Sequence, residues 1–199
     1  MKKYFVTGID TDSGKTVASA ILVEKLKADY WKPIQAGQPT DSDTVRSLIS
    51  NDKIIHPEGI VLDAPMSPHA AAQLENIELK AAQFQTPETN NTLIIEGAGG
   101  LLVPINDSEF VIDLAKPFDA EVILVSRNYL GSINHTMLSI NYLQTNNFKI
   151  AGIIFNDTPN PATESFILNY SKLPCLGRIE PLTEVNKSAI QSQLQNISL

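Results

Sequence analysis

The feature that most constrains this chain is a glycine-rich loop near its N-terminus, Gly8-Ile9-Asp10-Thr11-Asp12-Ser13-Gly14-Lys15-Thr16. It follows an apolar run at 3–7, a predicted strand, and precedes a predicted amphipathic helix at 15–27. Glycines let backbone N–H groups turn toward phosphate oxygens, and the start of the helix adds a favourable dipole. The pattern therefore predicts a phosphate-binding loop, although five residues separate its glycines where four are usual.

Two residues of this loop carry its expected chemistry. We predict that Lys15 reaches the β- and γ-phosphates of ATP and that the Thr16 hydroxyl binds Mg²⁺. The other expected nucleotide contacts lie beside them, at Asp12, Ser13, Gly14 and Val17. A glycine-rich turn that binds nothing is the alternative, but the surrounding strand, Gly-Lys-Thr and helix favour a nucleotide site.

Short β-rich runs alternate with helical stretches along the rest of the chain. The runs at 92–95, 121–126 and 150–155 suit strands buried on both faces, as in a parallel sheet. Helices are predicted at 43–50, 77–84, 134–144 and 162–171. We predict one α/β domain spanning 1–199, like the P-loop nucleotide hydrolases, with a mainly parallel sheet and helices on both faces. The segment 38–69 reads as largely loop, and the tail after Ile179 as a terminal helix or partly disordered.

Composition argues against several classes of partner. The net charge is −7, and no stretch gathers Lys and Arg into a patch, which argues against nucleic acid and anionic membranes. No apolar run is long enough to span a bilayer, and none near Met1 resembles a signal peptide. Cys175 is the single cysteine, so neither an intramolecular disulfide nor a cysteine-based metal cluster is expected. These features fit a cytoplasmic protein.

Two further segments indicate a site at the ends of strands. Glu96 ends an apolar run and is followed by Gly97-Ala98-Gly99, so its carboxylate is expected near the metal of the nucleotide. The alternative is a strand end with a flexible turn. Lys32 is expected at the end of a second strand, beside the first, pointing into the site, although a lone lysine there is more often a solvated charge. The carboxylates in Asp41-Ser42-Asp43 suit either the metal or a helix cap.

These motifs together resemble the dethiobiotin synthetase family. The shared segments occur in the family's order and reach to about Leu182: Gly8–Thr16, Lys32–Gly37, Ser42-Asp43, Ser67-Pro68-His69, Glu96–Gly100, Leu130–His135 and Asn156-Asp157. The loop is common to many ATPases, whereas the combination is specific. The resemblance implies ATP-dependent ring closure of diaminopelargonic acid with CO₂ to dethiobiotin, through a carbamate and a carbamic–phosphoric anhydride.

The resemblance also implies roles for individual residues. Lys32 and Lys15 would be catalytic, and Thr16, Asp43 and Glu96 would hold Mg²⁺. Nucleotide contacts are implied at Gly97, Ala98, Gly99, Asn156, Asp157, Glu180, Pro181 and Leu182. Substrate contacts are implied at Thr11, Lys32, Ala36 and Gly99. The family works as a homodimer, so the substrate carboxylate would meet a helix start of the partner at Gly131, Ser132, Ile133 and Asn134.

Two departures from the family and two rival interpretations complete the prediction. Ala36 replaces a residue that often carries a hydroxyl, and Glu180 precedes Pro181 where Ile-Pro is expected. Partition and cell-division-site ATPases share the fold but carry a second lysine early in the loop, where this chain has Asp10. Cobyrinic acid amidating enzymes need a glutaminase domain, for which 199 residues leave no room, so only a stand-alone relative of their synthetase part stays as an alternative. His69 and His135 are expected to be structural, and Cys175 to be buried.

Overall fold

The computed structural model describes all 199 residues. Six strands form the central sheet: β1 (Lys3–Gly8), β2 (Asp29–Trp31), β5 (Leu93–Gly100), β6 (Glu121–Arg127), β7 (Ile150–Asn156) and β8 (Cys175–Ile179). Their order is β2-β5-β1-β6-β7-β8, and every pair is parallel. Two shorter parallel strands, β3 (Ile34–Ala36) and β4 (Ile60–Leu62), form a separate small sheet. The predicted parallel α/β architecture is confirmed.

Six α-helices connect or flank these strands: α1 (Lys15–Leu26), α2 (Asp41–Leu48), α3 (Pro68–Leu74), α4 (Ser132–Thr145), α5 (Pro161–Ser171) and α6 (Lys187–Gln193). Their starts follow local chemistry. Thr40 caps α2 by accepting a hydrogen bond from the Asp43 N–H, and Asn160 caps α5 in the same way ahead of Pro161. None of the helices is both long and apolar enough to cross a membrane.

The core lies on both faces of the central sheet. On one face, Ile21 and Leu22 of α1, Val45 of α2 and Ile190 of α6 pack in one apolar cluster. On the other, two clusters lie under α3, α4, α5 and the 3₁₀ segment 111–115. Strand β6 shows the division: Val122 and Leu124 face the second side, and Ile123 and Val125 face the first. This alternation explains why an uninterrupted apolar run was the right signal for a central parallel strand.

Several predicted boundaries differ from the structure. The segment 38–69 is mostly loop, as predicted, but it also contains α2, β4 and the start of α3. The helix predicted at 77–84 is only a 3₁₀ turn, Ala81–Gln83. Its apolar residues fill the core beneath the turn instead of marking a helical face, as buried Leu79 and Phe84 show. The polar tail after Ile179 includes α6, which Asn186 caps.

Two local predictions were wrong. Lys32 follows β2, but β2 pairs with β5, so β5 separates it from β1. Cys175 begins β8 as expected, yet it is exposed and not a buried apolar residue.

Candidate active site

Nine of the predicted site residues line one cleft at the carboxyl ends of β1 and β5, where ligands bind in open parallel sheets. A cleft of about 570 Å³ opens there between the glycine-rich loop and the β3–α2 connection. Predicted residues that line it are Thr11, Asp12, Lys15, Thr16, Lys32, Ala36, Glu96, Ala98 and Gly99. The structure therefore places the loop, the acidic strand end and Lys32 around one cavity.

The loop itself has the conformation that its glycines permit. Gly14 lies in the left-handed region at φ 92°, immediately before α1. A Cβ on Gly8 would lie 1.9 Å from the Oγ of Ser13, so no larger residue fits there without a rearrangement. Ser13 is buried under the loop, and Val17 lies in the first turn of α1, partly buried against the core. Both residues support the loop from below.

Lys15 lies within the loop. Its Nζ donates hydrogen bonds to the carbonyl oxygens of Asp10 at 3.2 Å and Thr11 at 2.9 Å. The side chain is buried, and this burial lowers the pKa of Lys15 to about 8 despite the nearby carboxylates of Glu96 and Asp41. An ammonium whose present partners are two neutral carbonyls is well suited to bind phosphate, which offers full negative charge.

A trio of oxygen donors lies beside it. The Thr16 hydroxyl is 2.9 Å from Oε1 of Glu96 and 3.2 Å from Oδ1 of Asp41. Two carboxylates and a hydroxyl are hard oxygen ligands of the kind that Mg²⁺ prefers, and Mg²⁺ sites usually add water and substrate phosphates. No cluster of three or more His, Cys, Asp or Glu residues exists to hold a metal without such additions. The residues therefore fit a Mg²⁺ ion that a nucleotide helps to bind.

The structure places Asp41, and not the predicted Asp43, beside Thr16 and Lys32. Asp43 is exposed on α2 and pairs with Arg46 at 2.5 Å. Asp41 is the first residue of α2, immediately after the capping Thr40, and this position turns its side chain toward Thr16 and Lys32. Both residues lie in the Asp41-Ser42-Asp43 triplet. Only the position at which α2 begins decides which of the two carboxylates faces the cleft.

Lys32 is buried against both carboxylates. Its Nζ forms an ion pair with Asp41, lies 3.3 Å from Oε1 of Glu96 and donates to the carbonyl of Gly97 at 3.0 Å. Burial acts to lower the pKa of Lys32, but the charges of Glu96 and Asp41 outweigh burial and hold that pKa above its ordinary value. The same ion pair holds the pKa of Asp41 below its ordinary value, although burial opposes this. Lys32 is therefore a fixed cation in the cleft and not a solvated surface charge.

Two buried neighbours of this centre were not predicted from the sequence. The hydroxyl of Tyr30 donates to Oε2 of Glu96 at 3.1 Å, while Thr16 and Lys32 hold Oε1. Gln35 lies below the β3–α2 connection and accepts from the Asp41 N–H at 3.1 Å. Tyr30 lies next to Trp31 in a three-residue strand whose side chains are all buried, so the sequence gave no sign that its hydroxyl has a polar role. The position of Gln35 next to Ala36 within Lys32–Gly37 was the available signal.

The expected base-binding residues lie at the far side of the loop. Asn156 ends β7, and its Nδ2 donates to the carbonyl of Ser13 at 2.8 Å, which brings β7 against the loop. Asp157 follows in a left-handed conformation at φ 78° and donates its N–H to the carbonyl of Ile179. Glu180 comes directly after β8, and its N–H donates to the Gln193 side chain. Asn156, Asp157 and Glu180 thus lie together at adjacent strand ends, followed by the exposed Pro181 and the partly exposed Leu182.

The predicted helix start at Gly131 to Asn134 does not join the cleft within one chain. Those four residues surround the N-terminus of α4, and three of them line a second cavity of about 810 Å³: Gly131, Ile133 and Asn134. Apolar side chains nearby are exposed: Leu130 is fully exposed, and Ile133 and Leu138 are more than one-third exposed. Of the two histidines predicted to be structural, His135 bonds the hydroxyl of Tyr129, and His69 lies outside the cleft.

Comparisons with known proteins show what this chain is similar to. A family model described as an AAA domain matches residues 2–189. The ATP-dependent dethiobiotin synthetase BioD of Cytophaga hutchinsonii is 52% identical over 193 residues, which cover 96% of this chain and 94% of that protein. The BioD of Paramagnetospirillum magneticum is 40% identical over 192 residues, which cover 96% of this chain and 93% of that protein.

Solved structures show the fold alone, because their identities to this chain are low. The septum site-determining protein MinD of Pyrococcus horikoshii, complexed with Mg-ADP, has a TM-score of 0.57 at 14% identity. The alignment covers 99% of this chain and 86% of that one. A ParA family ATPase of Chlorobium tepidum has a TM-score of 0.51 at 15% identity, with 98% and 88% covered. Fold, site and sequence identity together show that the chain belongs to the dethiobiotin synthetase family.

Proposed function

We propose that this protein closes diaminopelargonic acid and CO₂ into dethiobiotin at the expense of ATP, a step of biotin biosynthesis. The observation that carries the proposal is one cleft in which Lys15, Lys32, Asp41 and Glu96 meet. Phosphoryl transfer needs positioning and charge neutralisation more than covalent participation by the protein. Lys15 and Lys32 provide two positive charges, and hard oxygen ligands lie between them. The cleft can therefore supply both positioning and charge neutralisation.

The proposed reaction has three steps. One amine of the substrate adds to CO₂ and loses a proton, which gives a carbamate. A carbamate oxygen then attacks the γ-phosphorus of ATP, ADP leaves, and a mixed anhydride results. The second amine attacks the carbamoyl carbon and loses a proton, the ureido ring closes and phosphate leaves. Lys15 would bind the phosphates, and Lys32 would stabilise the negative charge of the carbamate and of the transferring phosphoryl group.

A Mg²⁺ ion would be held by Thr16, Asp41 and Glu96, whose donor atoms suit it. When bound, it would neutralise charge on the β- and γ-phosphate oxygens. The chain's own part is to keep these donors fixed, which Tyr30 does for Glu96 through a buried hydrogen bond. We retain Asn156, Asp157 and the segment 180–182 as the proposed base contacts, since they adjoin the loop.

The diamine is proposed to lie against Thr11, Ala36 and Gly99 in the same cleft. Gly99 is left-handed at φ 66°, and a Cβ there would lie 2.8 Å from Val103 and 3.5 Å from the Thr11 hydroxyl. A glycine therefore keeps this wall open beside Thr11. Ala36 lines the cleft without a hydroxyl, so any polar contact with the diamine must come from elsewhere on the wall.

We further propose a homodimer that shares each site between two chains. Helix α4 is 14 residues long, and its N-terminus opens into a separate cavity. Exposed apolar side chains such as Leu130 lie beside this helix start. An α-helix start attracts a carboxylate without any side-chain cation. A second copy would cover the apolar side chains and bring this helix start to the substrate. A cytoplasmic location, expected from the single cysteine, stays a prediction.

The test is phosphate release from Mg·ATP with bicarbonate, measured with and without diaminopelargonic acid. We expect release that depends on the diamine and dethiobiotin detected by mass spectrometry. Lys149→Ala removes one side of an exposed ion pair with Asp119. This variant serves as the control for effects of expression and purification. ATP hydrolysis indifferent to the diamine would contradict the proposal and would point to an ATP-driven switch, as in the ATPases that share this fold.

A further inference from the structure

The segment that joins β3 to α2 determines where Asp41 stands, yet the middle of the segment is exposed. It comprises Gly37 to Thr40, and Gln38 and Pro39 lie at the surface. Gly37 is in the left-handed region at φ 79°, so the chain turns sharply as it leaves β3. A short exposed turn of this kind has few contacts of its own to fix the residue that follows it. Asp41 therefore needs support from elsewhere.

The buried side chain of Gln35 supplies that support. Its Oε1 accepts from the Asp41 N–H at 3.1 Å, and its Nε2 donates to the Gly37 carbonyl at 3.0 Å. Gln35 is 5% exposed; its bond to Gly37 is buried, and its bond to Asp41 is partly buried. One side chain thus spans the turn from within, joining β3 to the first residue of α2.

The Gln35 oxygen matters as an acceptor because the Asp41 N–H lies at the start of α2. The first N–H groups of an α-helix have no partner inside the helix. Thr40 satisfies the N–H of Asp43, and Gln35 satisfies that of Asp41. Asp41 is thereby held on both sides, by Gln35 at its backbone and by Thr16 and Lys32 at its carboxylate.

We propose that Gln35 is a positioning residue for the divalent metal site, acting through the backbone of Asp41. The inference rests on the proposed function in one respect, namely that Asp41 binds the metal. Gln35 also lines the cleft, but in this role its amide bonds two backbone groups and not the substrate. Outer partners that orient a metal ligand commonly change metal affinity when removed.

The test compares Gln35→Met with Gln144→Met. Methionine keeps the length of glutamine but neither hydrogen bond, and Gln144 makes one remote bond to the Ser171 carbonyl. Mn²⁺ binding to the ADP-bound protein is measured by electron paramagnetic resonance, alongside ADP binding without metal and melting temperature. We expect Gln35→Met to weaken Mn²⁺ binding by about 10-fold or more. Metal-free ADP binding should stay unchanged, and excess Mg²⁺ should restore turnover.

Each outcome has a distinct meaning. Wild-type Mn²⁺ affinity in folded Gln35→Met overturns the positioning role, as does an equal loss in Gln144→Met. A wild-type protein that binds no Mn²⁺ with ADP overturns the proposed metal site itself. If Gln35→Met does not fold, amide exchange of the wild type decides. The Asp41 N–H should then be protected from exchange like a bonded group, and rapid exchange overturns the inference.

Discussion

The Nζ of Lys32 lies 3.3 Å from Oε1 of Glu96, and both side chains are buried. The pair is not isolated, because Asp41 contacts the same ammonium, and Thr16 and Tyr30 donate to the same carboxylate. Removing Lys32 would leave the buried charge of Glu96 and the partly buried charge of Asp41 uncompensated. A divalent cation bound to these two carboxylates could compensate them instead. The ammonium and the two carboxylates that we propose to bind metal therefore form one electrostatic unit.

Lys32→Ala should abolish most turnover while sparing nucleotide binding. Lys15 and the loop, which hold the phosphates in the proposed site, are not altered by this change. The loss should be about 100- to 1000-fold in kcat, the range seen when one group that stabilises developing charge is removed. Steady-state kinetics and Mg·ADP calorimetry measure the two effects separately. Near-normal turnover would exclude the catalytic role of Lys32.

Asp41→Asn and Asp43→Asn provide a matched pair, because both change one carboxylate in the first turn of α2. Asp41→Asn should raise the Mg²⁺ concentration for half-maximal turnover by at least about 10-fold, since loss of a ligand should cost no less than loss of an outer partner. Asp43→Asn should behave like the wild type, because the exposed pair with Arg46 contributes little. A Mg²⁺ titration of activity checks both. The reverse pattern would restore Asp43 as the ligand.

Gly14→Ala and Gly131→Ala test two left-handed glycines with different surroundings. The φ angles are 92° and 102°, so each change adds strain of about 1–2 kcal/mol. A Cβ on Gly14 would also lie 2.2 Å from Nδ2 of Asn156, whereas a Cβ on Gly131 meets nothing within 4 Å. ADP affinity measured by calorimetry should fall at least about 10-fold in Gly14→Ala only. Equal ADP affinities in the two variants would show that the Asn156 contact is unimportant.

The sequence predicted the sheet and the loop because their signals are local. An apolar run such as 121–126 is enough to indicate a central parallel strand, and β6 indeed spans Glu121–Arg127. The strand order was harder, because it depends on which strands pair across long connections. Lys32 was therefore placed beside β1, although β5 lies between them. Lys32 nevertheless lines the cleft, because the carboxyl ends of β2 and β5 meet at one edge of the sheet.

The choice between Asp41 and Asp43 shows a second limit. Motif spacing allowed both, and the resemblance favoured Asp43. The deciding fact is that α2 starts one residue after Thr40, which turns Asp41 inward and Asp43 outward. Helix starts are among the least certain features of a sequence-based prediction. Gln35 and Tyr30 were missed for a related reason, since both act through three-dimensional contacts with residues far along the chain or across a turn.

Asp29 should make stability depend on acid pH. It is fully buried at the start of β2 and accepts bonds from Thr89 at 2.5 Å, the Ile54 N–H at 3.0 Å and Asn91 at 3.1 Å. Burial acts to raise the pKa of Asp29, but these bonds and His56 at 3.7 Å outweigh it and lower that pKa. The stabilisation is thus present above the unfolded pKa of about 3.9 and is lost as pH falls through the lower folded pKa.

Urea unfolding of Asp29→Asn from pH 3 to pH 7 tests this. The variant should lose about 1–3 kcal/mol at neutral pH, because an amide donor replaces an acceptor among buried donors. Its stability should also change less below about pH 4, where the wild type loses the ionised carboxylate. Asp119→Asn is the control, since Asp119 forms only an exposed pair with Lys149. A parallel pH dependence of the wild type and Asp29→Asn would refute the role of Asp29.

The shared site can be tested by mixing two defective variants. Lys32→Ala removes the cleft cation, and Asn134→Asp places a negative charge in the first turn of α4, where the partner's substrate carboxylate is proposed to bind. An acidic residue at a helix start favours folding, so loss of activity in Asn134→Asp would come from repulsion. If sites are shared, each heterodimer contains one site with Lys32 from one chain and Asn134 from the other. An equal mixture should then recover roughly a quarter of wild-type activity after subunit exchange, because half of the dimers are mixed. Sites built within single chains would give no recovery, and sedimentation that shows an active monomer would exclude the dimer altogether.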